Sequence, residues 1–190
     1  VIDDFVQGVW FVDLAPLSDA ALVPNAALST LGLRGEAERT PLDLLTDFLH
    51  ARKVLLILDN CEHLIQACAQ LAHQLLTRCS QIRILATSRE VLQVYGEHNY
   101  PVPPLALPDL HRKESAAVIS QYEAVALFIQ RAKAAQPSFV IDDENAPAVA
   151  EICVRLDGLP LAIELAAARL GLFSPRQLLK RLVDRLNTVS

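Results

Sequence analysis

The chain has 190 residues, of which 52% are hydrophobic and 21% charged, and its formal net charge is −5. The hydrophobic fraction excludes intrinsic disorder, and the length suits one domain with room for a small helical appendage. No apolar run approaches the roughly 20 residues of a membrane-spanning helix. Nucleic-acid-binding surfaces carry a basic excess, which this acidic chain lacks. We therefore expect neither a membrane nor direct nucleic acid as a partner.

The first two-thirds of the chain alternates β-rich runs with helical patterns. Strands are predicted over 9–14, 53–58 and 82–87, with a fourth over 98–102 that ends at Pro103 and Pro104. Helices are predicted over 20–31, 41–51 and 62–78, the second with Thr40 as N-cap and Pro41 at its first position. Strand–helix–strand alternation is typical of a parallel α/β sheet.

The pattern changes beyond Leu105. Prolines at 103, 104 and 108 form a stiff linker, and helices are predicted over 121–135, 144–156, 161–170 and 175–186. The sequence thus predicts a partial α/β domain over 1–104 and an all-helical subdomain over 105–190.

The four cysteines (Cys61, Cys68, Cys79 and Cys153) show no zinc-type spacing. Two disulfides are formally available, but three of these cysteines fall in or beside one predicted helix, so buried free thiols are expected. The start of the chain has no signal-peptide pattern, which favours a cytoplasmic location. The chain contains no methionine, and we expect it to be a piece of a longer protein.

The most informative segment is Val-Leu-Leu-Ile-Leu-Asp-Asn over 54–60. A buried strand that ends in Asp59 delivers a carboxylate to the carboxyl edge of the sheet, where ligands of open α/β sheets bind. Such a carboxylate can hold Mg²⁺ beside a nucleotide phosphate, as in a Walker B strand. Capping of the helix that begins near Glu62 is an equally weighted alternative.

Two further segments can carry chemistry. Ile-Leu-Ala-Thr-Ser-Arg over 84–89 places Arg89 where it can reach a terminal phosphate, although a surface arginine is the common alternative. In the segment 155–162, Gly158 suits a helix C-cap and Pro160 opens the next helix. An ordinary helical corner without a ligand explains that segment equally simply.

Together these segments resemble the NB-ARC branch of the STAND signal-transduction ATPases, in the form found in large bacterial regulators of the LuxR and AfsR type. The matching stretches are Leu-Asp-Asn-Cys-Glu-His-Leu over 58–64, Thr-Ser-Arg-Glu over 87–90, and Asp-Gly-Leu-Pro-Leu-Ala-Ile-Glu-Leu-Ala-Ala-Ala-Arg over 157–169. Gly-Val-Trp-Phe-Val-Asp-Leu over 8–14 resembles the second strand of that fold. The resemblance covers nearly the whole chain and implies a P-loop NTPase-like sheet followed by a helical subdomain.

The resemblance also implies roles for individual residues. Asp59 would hold magnesium and its water shell, Arg89 would sense the γ-phosphate, and Gly158, Leu159 and Pro160 would sit against adenine. Asn60 stands where relatives carry a second acidic residue, and an amide cannot take a proton from water as a carboxylate can. Hydrolysis, if it occurs, should therefore be slow, and whether the chain is an enzyme stays open.

The phosphate-binding loop Gly-x4-Gly-Lys-[Ser/Thr] is absent, since none of the four lysines follows a glycine. By the resemblance, this loop and the strand leading into it would precede residue 1. We therefore expect the 98–102 strand to be separated from the 82–87 strand, or the gap between them to be closed by another chain. We also expect the chain alone to bind ATP or ADP poorly, and an open slot in its sheet to promote self-association.

Two classes of function follow. The first is an ATP- or ADP-binding switch, with magnesium in the complete protein, that controls effector and sensor domains of a larger transcriptional regulator. The alternative is a nucleotide-independent interaction scaffold derived from the same fold. The residues encoded before Val1 discriminate the two, because an intact phosphate loop there supports the switch.

Overall fold

The structure, a computed structural model, describes residues 2–188, with side chains as far as residue 184. The chain divides into two compact units, Val1–Tyr100 and Pro101–Ser190. Among the described residues, no helix is both long and apolar enough to cross a membrane.

A three-stranded parallel sheet organises the first unit, in the order β1 (Val9–Asp13), β2 (Leu55–Asp59) and β3 (Arg83–Ala86). The register pairs Phe11 with Ile57 and Ile57 with Leu85, so these three residues form one row across the sheet. The three strands lie where the apolar runs predict them. The predicted fold class, a parallel α/β sheet followed by a helical part, is confirmed.

Three α-helices connect these strands: α1 (Val23–Thr30), α2 (Pro41–Leu49) and α3 (Ile65–Arg78). Single 3-10 turns lie at Ile2–Asp4, Ala20–Leu22 and Cys61–His63. The start of α2 is set locally, because the Thr40 hydroxyl accepts the Asp43 N–H at 3.2 Å and Pro41 supplies a helical φ without an orphan donor. Each predicted helix of this unit is present, with ends shifted by a few residues.

The helices of the first unit pack on one face of the sheet. Val12, Leu56 and Leu58 are fully buried against residues of α1, α2 and α3. Both crossovers step in the same direction across the sheet, and right-handed crossovers of this kind place their helices on the same side. On the opposite face, the alternating residues Phe11 and Leu85 are 55% and 52% exposed.

The strand predicted over 98–102 is not formed, and that prediction is wrong. The segment has no regular secondary structure, and within the described residues β3 pairs only with β2. A β-rich sequence becomes a strand only where a partner offers a ladder of hydrogen bonds. Pro101, Pro103 and Pro104 also lack the N–H groups that such a ladder needs.

The second unit is helical, with α4 (Ala116–Ile119), α5 (Glu123–Ala135), α6 (Ala146–Arg155), α7 (Pro160–Ala167) and α8 (Pro175–Thr188). A 3-10 turn, Ala168–Gly171, extends α7. The four longer helices match the predicted ones, whereas α4 is a short addition. Their core surrounds Phe128, Ile152 and Ile163, all fully buried.

The start of the second unit is held against its own helices. The Leu105 N–H donates to the Gly158 carbonyl at 3.0 Å, and the Ala124 N–H donates to the Ala106 carbonyl at 3.2 Å. The Glu123 carboxylate accepts the Ala106 N–H at 3.1 Å. Residues 105–106 are therefore an ordered strap across the start of α5 and the corner between α6 and α7.

Candidate functional site

Asp13, Asp59 and Thr87 form a polar row at the carboxyl edge of the sheet. Asp13 and Asp59 are register partners at the ends of β1 and β2, and Thr87 follows β3 one residue after the Leu58–Ala86 pair. The Thr87 hydroxyl donates to Asp59 Oδ1 at 2.5 Å. The row therefore contains two carboxylates and a hydroxyl, one from the end of each strand.

Thr87 fixes the position of the Asp59 carboxylate. Its hydroxyl oxygen accepts the Asn60 N–H at 2.9 Å, and its carbonyl accepts the Cys61 N–H at 3.0 Å. The Asp59 carboxylate is thus hydrogen-bonded to the end of the neighbouring strand, and the 3-10 turn that follows Asn60 begins without a side-chain cap. The contacts of Asp59 are therefore not those of a helix cap.

The carboxylate oxygens at this edge are suitable ligands for a hydrated magnesium ion. The described residues give Asp59 Oδ2 no hydrogen bond, so one carboxylate oxygen remains available. Asp13 Oδ1 accepts the Ala15 N–H at 3.0 Å, which turns the chain after β1. No cluster of three or more metal-ligating side chains occurs among the described residues. Mg²⁺ does not need one, since it commonly takes one or two carboxylates and completes its shell with water and phosphate oxygens.

Asn60 and His63 link the end of β2 to the loop after β1. Asn60 adopts a left-handed conformation, with φ of 66°, and its amide Nδ2 lies 3.3 Å from His63 Nδ1. His63 Nε2 lies 2.8 Å from the Leu17 carbonyl and 3.1 Å from the Leu14 carbonyl. Because carbonyls only accept, Nε2 carries the proton and Nδ1 accepts from Asn60 in the neutral ring. The Asn60 side chain is thus committed to His63 in this conformation.

Cys61 and His63 do not form a nucleophile–base pair. The Cys61 thiol is buried and donates to the Leu58 carbonyl at 3.4 Å. Its hydrogen bond with Cys68 and its burial raise the pKa of the Cys61 thiol, which keeps it protonated. All four cysteines are free and buried, as predicted.

The Arg89 side chain points into solvent beside the same edge. Its Nε lies 3.4 Å from Glu62 Oε1, and the side chain is 88% exposed. Exposed ion pairs of this kind contribute only about 0 to 1 kcal/mol to folding stability. The guanidinium can therefore exchange Glu62 for another anion at small cost.

Gly158, Leu159 and Pro160 lie in the second unit, at the corner between α6 and α7. Gly158 has φ of +66°, and a Cβ built there would lie 2.5 Å from the Leu105 carbonyl oxygen. Leu159 is extended and about half exposed, and Pro160 is the first residue of α7. The left-handed corner and the close strap account for glycine here without any ligand.

The row at the sheet edge includes two residues, Asp13 and Thr87, to which the sequence analysis assigns no role. The sequence places Asp13 in a predicted strand and Thr87 in the Thr-Ser-Arg-Glu motif. A signal is present, because Val-Trp-Phe-Val-Asp over 9–13 and Leu-Leu-Ile-Leu-Asp over 55–59 are both apolar runs that end in aspartate. Register then aligns the two aspartates.

Proteins similar to this chain occur in mycobacteria. A Mycobacterium tuberculosis protein named "Putative HTH-type transcriptional regulator Rv0890c" is 44% identical over 178 residues, which is 94% of this chain and 19% of that protein. A Mycobacterium bovis protein named "Putative HTH-type transcriptional regulator Mb0914c" matches to the same extent. The M. tuberculosis protein named "Uncharacterized protein Rv0894" is 39% identical over 190 residues, which is 100% of this chain and 45% of that protein.

The chain therefore spans about a fifth of the first two relatives and less than half of the third. No protein-family profile matches it.

Proposed function

We propose that this chain is part of a nucleotide-dependent switch, of the NB-ARC type found in STAND ATPases, within a larger transcriptional regulator. Two independent lines support the proposal. The motifs over 58–64, 87–90 and 157–169 resemble that family, and the relatives include longer proteins named as HTH-type transcriptional regulators. The effector and sensor functions would belong to other parts of such a regulator.

The observation that carries the proposal is the Asp59 carboxylate, held at the sheet edge by Thr87 with its second oxygen available. Asp59 would hold a magnesium ion through its water shell. The ion, when bound, neutralises phosphate charge. Asp13, its register partner, adds negative charge that favours the same cation.

Arg89 would exchange its weak contact with Glu62 for the terminal phosphate of the nucleotide. A guanidinium binds phosphate oxygens through two parallel N–H donors, so this exchange favours ATP over ADP. By the resemblance, Gly158, Leu159 and Pro160 would contact the adenine base. Asn60 contributes no proton acceptor, so we propose a switch that depends on nucleotide exchange more than on fast hydrolysis.

The 190 residues contain no Gly-x4-Gly-Lys sequence, and therefore no cradle of backbone N–H groups and no lysine for the β- and γ-phosphates. One carboxylate and one guanidinium supply about 1.5–3 kcal/mol each. Together they supply about 3–6 kcal/mol, which reaches only the lower end of the cost of lost translational and rotational freedom on association, about 4–15 kcal/mol. The chain alone should consequently bind Mg-ATP weakly.

Calorimetric titration with Mg-ATP and Mg-ADP tests the proposal, on this chain and on the longest protein that its gene encodes. If that protein contains the phosphate loop, it should bind tightly, and Asp59→Ala should weaken the magnesium-dependent binding. Arg89→Ala should reduce the preference for ATP, while Glu38→Ala, an exposed carboxylate elsewhere in the first unit, should change neither.

Magnesium-dependent binding that Asp59→Ala leaves unchanged would overturn the assignment of the site. A long protein that binds no nucleotide would overturn the switch and support the scaffold. Tight binding by the 190 residues alone would show that the phosphates are held by residues other than those proposed.

A further inference from the structure

A groove of about 730 Å³ runs between α7 and α8 in the second unit. Leu156, Ala166 and Leu178 form its floor, and Phe173 closes one wall. We call this the α7–α8 groove. Its volume lies within the range of ligand-binding clefts, about 300–1,000 Å³, but it is open to solvent and not an enclosed cavity.

Exposed leucines line the groove and flank it. Leu165 lines the groove and is 61% exposed. Leu161, one helical turn before it on α7, is 68% exposed, and Leu172 beyond the following 3-10 turn is 80% exposed. The opposite side of α7 is buried in the core through Ile163. Glu164, the one charged residue of α7, is paired with an arginine of α5. A helix that is apolar on both sides is ordinarily covered on both, so this surface has the character of an interface.

The rim of the groove is basic, although the chain as a whole is acidic. Residues 165–190 contain five arginine or lysine residues and one aspartate, a formal charge of +4. Arg169, Lys180 and Arg181 line the groove, together with the single carboxylate Asp184. The charge of the rim is therefore opposite to that of the chain.

The rim cations differ from the other arginines of the unit in their described partners. Arg131, Arg155 and Arg176, which lie elsewhere on it, are paired with carboxylates at 2.7–3.2 Å. In contrast, no carboxylate lies within ion-pair distance of the three rim cations in the part of the chain that the structure describes. The Arg181 guanidinium instead lies 4.1 Å above the Phe173 ring, which orients it at the edge of the groove.

We propose that the α7–α8 groove binds an acidic amphipathic helix from outside these 190 residues. Leucine-type anchors of that helix would fill the space above Ala166 and Leu178 and pack on the Leu165 side chain. Its acidic residues would pair with the rim cations. An open groove between two helices, with exposed leucines in it and beside it, accommodates a helix better than a small enclosed molecule. This interaction does not depend on nucleotide.

The test is fluorescence anisotropy with a labelled peptide of about 18 residues, long enough for several helical turns. The peptide has leucines at helical a and d positions and glutamates elsewhere. Leu165→Glu should weaken binding at least tenfold, because the exposed anchor becomes a like charge. The double variant Lys180→Glu/Arg181→Glu should weaken it similarly, and should bind the matching leucine–lysine peptide more tightly than the unaltered chain does. Lys133→Glu, an exposed cation on α5 that does not line the groove, is the matched control.

Circular dichroism confirms that each variant is folded before titration. The proposal is overturned if the peptide does not bind, if a scrambled peptide of the same composition binds equally, or if Leu165→Glu and Lys133→Glu bind alike. Displacement of the peptide by a simple alkyl carboxylate at low concentration would overturn it in favour of a small-molecule site. Loss of ATP binding in the parent protein would leave these results unchanged, so the two proposals fail separately.

Discussion

Replacing Gly158 by alanine should destabilise the second unit far more than a glycine-to-alanine change usually does. The residue has φ of +66°, and a left-handed conformation costs a non-glycine residue about 1–2 kcal/mol. The new Cβ would also lie 2.5 Å from the Leu105 carbonyl oxygen and 3.3 Å from the Leu105 nitrogen. Both are backbone atoms, so no side-chain rotation relieves the contact.

The strap of residues 105–106 must therefore move away from the corner between α6 and α7. Movement breaks the 3.0 Å hydrogen bond from the Leu105 N–H to the Gly158 carbonyl, a loss of about 1 kcal/mol. It also strains the Ala106 contacts with the start of α5. Adding the conformational cost, the free energy of unfolding should fall by about 3 kcal/mol for Gly158→Ala.

Urea unfolding followed by far-ultraviolet circular dichroism measures this change. With a denaturant slope of about 2 kcal/mol/M, the midpoint should fall by about 1.5 M. Gly32→Ala is the control, because Gly32 has φ of +71° and a Cβ placed there would meet no atom within 4 Å, so only the conformational cost applies. Equal losses for the two variants would refute the close contact, and the glycine at 158 would then need another explanation, such as approach of a ligand.

Three further predictions concern the first unit. Thr87→Val removes the hydroxyl that donates to Asp59 and should lower the free energy of unfolding by about 2 kcal/mol in urea titrations, whereas Thr77→Val, whose hydroxyl bonds only within α3, should have a much smaller effect. The hydrogen bond from Thr40 holds the pKa of Asp43 below its usual value, so this carboxylate stabilises the fold above the unfolded-state pKa and loses that effect as pH falls through the folded-state pKa. Asp43→Asn should accordingly be destabilising in urea titrations at neutral pH, with a difference from the unaltered chain that begins to shrink below about pH 4. Phe11→Ser should reduce binding of a hydrophobic dye and any concentration-dependent increase in particle size by light scattering, and an unchanged signal would show that the open face of the sheet is not responsible.

Features that depend on nearby residues were predictable from the sequence. The start of α2 follows from Thr40 and Pro41, and β2 follows from an apolar run too short for a helix. The segment 98–102 also has β-forming residues, but it forms no strand because strand formation needs a partner at its edge. A strand prediction from composition carries no information about that partner.

The candidate site likewise combines features that the local sequence predicts with contacts that it does not. The sequence placed Asp59 at the end of a strand, but the Thr87 contact joins residues 28 positions apart and the His63 contact to Leu14 spans 49. Such contacts depend on strand order and register, which spacing along the chain does not reveal. The aspartate at the end of β1 was visible in the sequence, and only the register shows that it lies beside Asp59.

The polar row and the exposed apolar row share one face of the sheet. Side chains alternate along a strand, so Asp13, Asp59 and Thr87 follow Phe11, Ile57 and Leu85 on the same side. Any element that covers the apolar row would also exclude water next to the Asp59 carboxylate. Attraction between a carboxylate and a cation increases as the local dielectric constant falls, so covering this face would strengthen the proposed magnesium site without adding a ligand.

Substitution of Phe11 or Leu85 by serine in the complete protein should therefore weaken magnesium-dependent nucleotide binding in calorimetric titrations, although neither native side chain can hydrogen-bond to a phosphate. Unchanged affinity in both variants would show that the apolar row and the carboxylate act independently.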